Sequence, residues 1–165
     1  MKPYRGLTLL LFLALLVASC GEKALDPQAE KEAVATLIER YVIANETQDL
    51  EAVHALWADD TGIVAIGTES GERLLGWQSI SKAMQKQFRN FTDTYIAVND
   101  LEVRMAESCL TAWFSATIHY NFTFMEEPMS YEDLRFTGVA VKQGEHWKLV
   151  QTHISVPLQP RNMHP

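Results

Sequence analysis

Three residues near the end of the chain, Gln151, His153 and Ser155, lie two apart. In an extended segment such residues share a face, so an amide, an imidazole and a hydroxyl would converge. That set could hold a polar ligand atom or move a proton near neutral pH. It also fits a structural histidine bonded to a neighbouring element. Leu149 and Trp147 continue the same face towards the preceding turn, giving it a polar and an apolar end. Arg135 would add a planar fork of donors suited to an anionic or carbonyl-bearing ligand. An odd-length loop around Gly144 puts Arg135 on the face of His153, and an even-length loop puts it on the other. Tyr41 is a candidate hydrogen-bond donor. Trp57 and Trp77 are candidate pocket walls that fit a core equally well. Asp59-Asp60 offers paired carboxylates, but reads more simply as the solvated end of a helix. The five histidines show neither H-E-x-x-H nor H-x-H spacing, so no metal is expected. There is no Gly-rich phosphate loop and no nucleophile elbow, and no cofactor is expected.

The chain that must position these groups has 165 residues, 47% of them apolar, with a net charge of −7. That suffices for one domain with a core of its own. Fourteen basic residues against 21 acidic ones, with no basic run, argue against nucleic acid as a partner. Two cysteines cannot build a disulfide scaffold.

Residues 1–19 have the form of an export signal. Lys2 and Arg5 precede an apolar stretch from Leu7 to Val17, too short to span a bilayer. It ends Val17-Ala18-Ser19-Cys20, which resembles a bacterial lipobox. The resemblance implies a diacylglyceryl group on Cys20 and anchoring in the cell envelope through lipid. Gly21 in place of aspartate after the cysteine implies the outer membrane, if the cell has one. Residues 20–27 form the lipidated cysteine and a short polar tether. Cys109 then has no partner and is expected to be a small buried hydrophobe.

Asp26-Pro27 is a helix start, and Val34, Leu37, Ile38, Tyr41 and Val42 form one stripe, so a helix is expected over 27–47. Asp49 caps a second helix over 50–58, and a third covers 77–90 after Gly76. Short extended pieces at 63–68 and 73–75 lie between the second and third helices. Long strands are expected at 94–106, 109–124, 130–142 and 147–156. In 109–124, Ala112, Phe114, Ala116, Ile118 and Tyr120 alternate with Trp113, Ser115, Thr117, His119 and Asn121. The first set would face the helices, leaving Trp113 outside as an interface anchor. The domain occupies 28–157, and the Pro-rich tail 158–165 cannot join the sheet. This is an α+β order, and long strands covering three helices should curl into a cone with a cavity at its open end.

That order, with several local strings, resembles the SnoaL-like members of the nuclear transport factor 2-like superfamily. The strings are Trp147 to Pro157 (WKLVQTHISVP), Arg135-Phe136-Thr137, Asp49-Leu50 and Ala58-Asp59-Asp60. The resemblance implies a cone-shaped antiparallel sheet wrapped around three N-terminal helices, the cystatin-like α+β roll. It also implies a homodimer through the sheet face. In ketosteroid isomerase, a member of the superfamily, Tyr41 falls on the oxyanion-hole tyrosine. The base aspartate falls on Ala65 and a second acidic donor near Gly138, so isomerase chemistry is not expected. The resemblance leaves three expectations. One is a small organic molecule bound by Tyr41, Trp57, Trp77, Arg135, Gln151, His153 and Ser155. Another is a small-substrate enzyme (an isomerase, cyclase, dehydratase or hydrolase) using His153 and Tyr41. The third is a structural dimer, similar to the association domain of calmodulin-dependent kinase.

Overall fold

The computed structural model describes residues 25–158. The signal segment, Cys20 and the last seven residues of the tail lie outside them. Helix α1 (Pro27–Glu46) begins where the Asp26 carboxylate accepts a hydrogen bond from the Gln28 amide at 3.0 Å. It buries Val34, Leu37, Ile38 and Val42. Helix α2 (Leu50–Leu56) starts the same way, with Asp49 accepting from the Ala52 amide at 2.9 Å. Helix α3 (Gly76–Asn90) follows two short strands, β1 (Val64–Ile66) and β2 (Arg73–Leu75), and buries Ile80 and Met84. Four long strands complete the chain: β3 (Phe91–Met105), β4 (Thr111–Phe124), β5 (Glu127–Gln143) and β6 (His146–Ser155).

All six strands form one sheet in the order β2-β1-β6-β5-β4-β3. Every neighbouring pair is antiparallel except β1 and β6, which run parallel. The helices cover one face, as the α+β expectation requires. The inner face of β4 is the expected one, with Ala112, Phe114, Ala116 and Ile118 buried and Trp113 49% exposed outside. The β4–β5 turn is shorter than the gap between the expected strands 109–124 and 130–142. It is Met125-Glu126, both at positive φ (51° and 69°), and Pro128 already pairs with Thr123 inside β5.

Strands of 14–17 residues must bend to enclose so small a set of helices. They bend where the register slips. β3 slips twice against β4, next to Asp93 and Asp100, and β5 slips once against β4, next to Asp133. All three aspartates have left-handed backbone, with φ of 50°, 52° and 54°. Aspartate tolerates that region better than most residues, and an inserted residue bends a strand and sharpens its twist. The curl of the cone is therefore written at three aspartates.

The narrow end is locked by a buried polar cluster. Trp147 Nε1 donates to Glu30 Oε2 at 2.7 Å, and Lys142 Nζ bonds Glu30 Oε1. The lysine bond holds the Glu30 carboxyl below its ordinary range, against the opposing effect of burial. The cluster ties the first turn of α1 to the β5–β6 hairpin.

Asp100 is solvent-exposed, so a substitution there tests the backbone alone. Asp100→Gly should leave stability unchanged or raised, whereas Asp100→Val should cost about 1–2 kcal/mol. Urea unfolding of the two variants checks this.

Candidate functional site

The open end of the cone holds a cavity of about 550 Å³, the size of a small organic ligand. Its floor comes from α1, which presents Tyr41, Val42 and Asn45. β4, β5 and β6 supply one wall, with Ile118, Tyr120, Phe122, Phe136, Thr152 and Ile154. α3 supplies the opposite wall, with Ile80, Met84 and Gln87. Ala65, where the isomerase comparison would want an aspartate, also lines it. Gly138 lies under the Phe114 ring, and a Cβ there would come within 2.6 Å of that ring and 2.5 Å of the Gln151 carbonyl. An acidic side chain at position 138 has no room.

Tyr41 is thus brought to the cavity, but Gln151, His153 and Ser155 are not. The reason is one residue in β6. Ala140 pairs with Leu149, but the next residue of β5, Val139, pairs with Gln151, so Val150 is an extra residue. Before it, Trp147 and Leu149 point inward, at 6% and 0% exposure. After it, Thr152 and Ile154 line the cavity, and Gln151, His153 and Ser155 turn to the outer face. Arg135 pairs with Ser155 and is exposed on that same outer face. The β5–β6 turn is even in length, two residues between Gln143 and His146, which alone would set Arg135 opposite His153. The bulge reverses that, and both end outside the cone.

Trp57 is a core residue, and Trp77 is half-buried against the core. Trp57 is buried behind the floor, edge-on to Tyr41 with ring centroids 6.4 Å apart, and is not part of the lining. Its Nε1 is buried without a hydrogen-bond partner. Trp77 stacks on His54 at 4.2 Å, away from the cavity.

The polar groups that do line the inner cavity are neutral. Gln87 Nε2 donates to the Tyr120 hydroxyl at 2.7 Å. The phenol oxygen is therefore occupied as an acceptor, and its proton is left to donate onward. Burial raises the Tyr41 phenol to about 12, opposed by the neighbouring Asn45 and Thr152 side chains. Burial raises the Tyr120 phenol further still, with Tyr41 adding to the shift and Thr94 and Gln87 opposing it. Aromatic rings fill the spaces between: Tyr41 stacks on Phe136 at 6.1 Å, and Phe91 on Phe122 at 4.0 Å. Among the described residues, the charges of the lining, Glu69, Glu72 and Lys86, stand at the rim, and no histidine or aspartate lines the cavity. Such a cavity can donate hydrogen bonds to a carbonyl or hydroxyl and cover an apolar body. Among the described residues, no three His, Cys, Asp or Glu side chains come together to hold a metal.

The SnoaL-like domain family matches residues 34–159. The chain belongs to that family. Solved structures agree on the fold. A nuclear transport factor 2-like superfamily protein from Salmonella enterica superposes with a TM-score of 0.75 at 14% identity. That match covers 85% of this chain and 99% of the other. A protein with a cystatin-like fold from Caulobacter vibrioides gives 0.67 at 17% identity, covering 79% and 91%. A Streptomyces avermitilis protein of the same superfamily, provisionally named a dehydratase, gives 0.72 at 18% identity, covering 81% and 100%. No curated protein matches the chain. These identities carry the fold and no activity.

The SnoaL-like cavity residues Tyr120, Gln87, Asn45 and Thr152 were not among the sequence candidates. Tyr120 had a signal, because strict alternation in β4 already puts it on the inner face. The others depend on how α1, α3 and β6 meet.

Both cavity phenols should stay protonated at any pH near neutrality. In a spectrophotometric titration at 295 nm, Tyr41→Phe and Tyr120→Phe should leave the absorbance change below about pH 11 as in the parent. Each should remove amplitude only above that pH.

Proposed function

We propose that this SnoaL-like domain binds a small, neutral, largely apolar organic molecule bearing a carbonyl or hydroxyl group. The observation that carries the reading is the cavity itself, in which aromatic walls surround neutral donors and every lining charge is at the rim. A carboxylate or phosphate in that interior would lose its hydration and meet no cation. An apolar ring would gain roughly 25 cal/mol for each Å² it buries.

The domain is anchored in the cell envelope by lipid on Cys20, in the outer membrane where the cell has one. The reading is supported by the sequence around Cys20 and by Gly21 after it. The protein pairs through the outer face of the sheet, where Trp113 is 49% exposed beside Val139 and Thr137. Gln151, His153, Ser155 and Arg135 belong to that face too, so their contribution is to pairing rather than to ligand contact.

A second reading has one observation in its favour. Two protonated phenols over one cavity can donate hydrogen bonds to a developing oxyanion as well as to a bound ligand. An enzyme of this kind would lose turnover in Tyr41→Phe while keeping its fold.

The experiment is native mass spectrometry of the protein purified from its own host. A co-purified neutral mass of a few hundred daltons is expected. Ala65→Phe, which fills the cavity, should abolish its binding. Tyr41→Phe should weaken it about 5- to 10-fold, the worth of one hydrogen bond. Binding that survives Ala65→Phe unchanged would place the ligand elsewhere.

A further inference from the structure

We propose that the anchored protein stands with its cavity mouth turned away from its own membrane, so that ligand exchanges with the aqueous compartment. The inference rests on the Cys20 anchor proposed above.

Helix α1 is the ruler. Its first turn lies at the narrow end, where Glu30 meets Lys142 and Trp147. Its last turns, at Tyr41 and Asn45, form the cavity floor. A 20-residue helix is about 30 Å long at about 1.5 Å per residue. Strand β5 agrees, running from Lys142 at the narrow end to Met129 on the cavity rim. That is about 40 Å of strand at about 3.3 Å per residue, before curvature shortens it.

The tether is shorter than the ruler. From Cys20 to Asp26, the cap of α1, the chain has six links. Whatever their conformation, six links reach no further than about 20 Å, at about 3.3–3.6 Å each. The start of α1 is therefore held within about 20 Å of the bilayer surface. A mouth-down pose would lift it to about 30 Å, beyond the reach of the tether.

A side-on pose remains within reach, and charge opposes it. The β4–β5 hairpin at the mouth exposes Glu126, Glu127, Glu132 and Asp133, and on the rim Glu69 and Glu72 outnumber Lys86. An anionic headgroup surface repels that end within a Debye length, about 8 Å in physiological salt. The narrow end is mixed in sign, with Lys31 and Lys148 near Asp26, Glu32 and Glu145. Met125, 80% exposed at the hairpin turn, is the most exposed apolar side chain of that hairpin, ahead of Met129 and Tyr131, and invites insertion. The tether keeps it from the membrane that holds the protein.

The test uses the mature lipoprotein carrying a single fluorophore, at Met125→Cys for the mouth or Glu145→Cys for the narrow end. Cys109 is buried and Cys20 is blocked by its lipid. Each is reconstituted into phosphatidylglycerol–phosphatidylethanolamine vesicles containing a headgroup-quenched lipid. Quenching should be several-fold stronger at position 145 than at position 125. Equal or stronger quenching at 125 overturns the orientation. The mass of the N-terminal peptide reports the lipid separately. An unmodified Cys20 overturns the anchor and the orientation together, whereas an acylated Cys20 with a quenched mouth overturns the orientation alone.

Discussion

A strand that gains one residue exchanges its two faces from that point on. In this protein the extra residue is Val150, and it decides which side chains the cavity receives. Upstream of it, β6 sends Trp147 and Leu149 into the packed narrow end. Downstream, it sends Thr152 and Ile154 into the open end and turns Gln151, His153 and Ser155 outward. The insertion falls where β6 changes neighbours on its free side. The Leu149 carbonyl accepts from the Ala58 amide at 2.9 Å, and β1 takes over from Gln151 onward. A strand that must serve two neighbours in different registers has a reason to slip between them. The consequence is chemical: the imidazole leaves the interior and a hydroxyl takes its place.

Most of the fold was legible in the chain because its signals are local. Asp26-Pro27 and Asp49 cap helices wherever they occur, and the alternation in β4 survives unbroken from Ala112 to Ile118. The site was less legible because it depends on register. Strict alternation in the last strand is the natural assumption, and Val150 breaks it without a glycine or a positive φ to announce it. The three aspartate bulges could have been suspected, since Asp93, Asp100 and Asp133 sit inside otherwise extended segments. Nothing in sequence spacing links Glu30 to Lys142 and Trp147, because that cluster forms only when the first turn of α1 lands on the hairpin.

The two ends of the cone divide the work. The narrow end takes a carboxylate and a lysine out of water and matches them, with an indole N–H completing the set. That end gives the molecule a fixed frame. The open end commits only part of its hydrogen-bonding capacity to itself. The Tyr120 phenol has accepted from Gln87 and still has a proton to give, and Tyr41 faces the same space with Asn45 and Thr152 beside it. A phenol covered by a ligand gives up water as its acceptor, so on the proposed reading a ligand that supplies a neutral acceptor is favoured. On the proposed reading charge discriminates more sharply than shape, since the inner walls are aromatic rings that tolerate many flat bodies and the described cation of the lining, Lys86, stands at the rim.

Selection for neutrality is the central claim, and a pair of fluorescent twins tests it most directly. Phenylnaphthylamine and its sulfonated form share the same rings and differ by one negative charge. Both brighten when they leave water. Titrated against the protein at neutral pH, the neutral twin should bind at least about tenfold more tightly, a difference of about 1.4 kcal/mol. Its signal should fall in Ala65→Phe. Equal binding of the twins, or a preference for the sulfonate, would contradict selection for neutrality and point to Lys86 at the rim as the group that receives the anion.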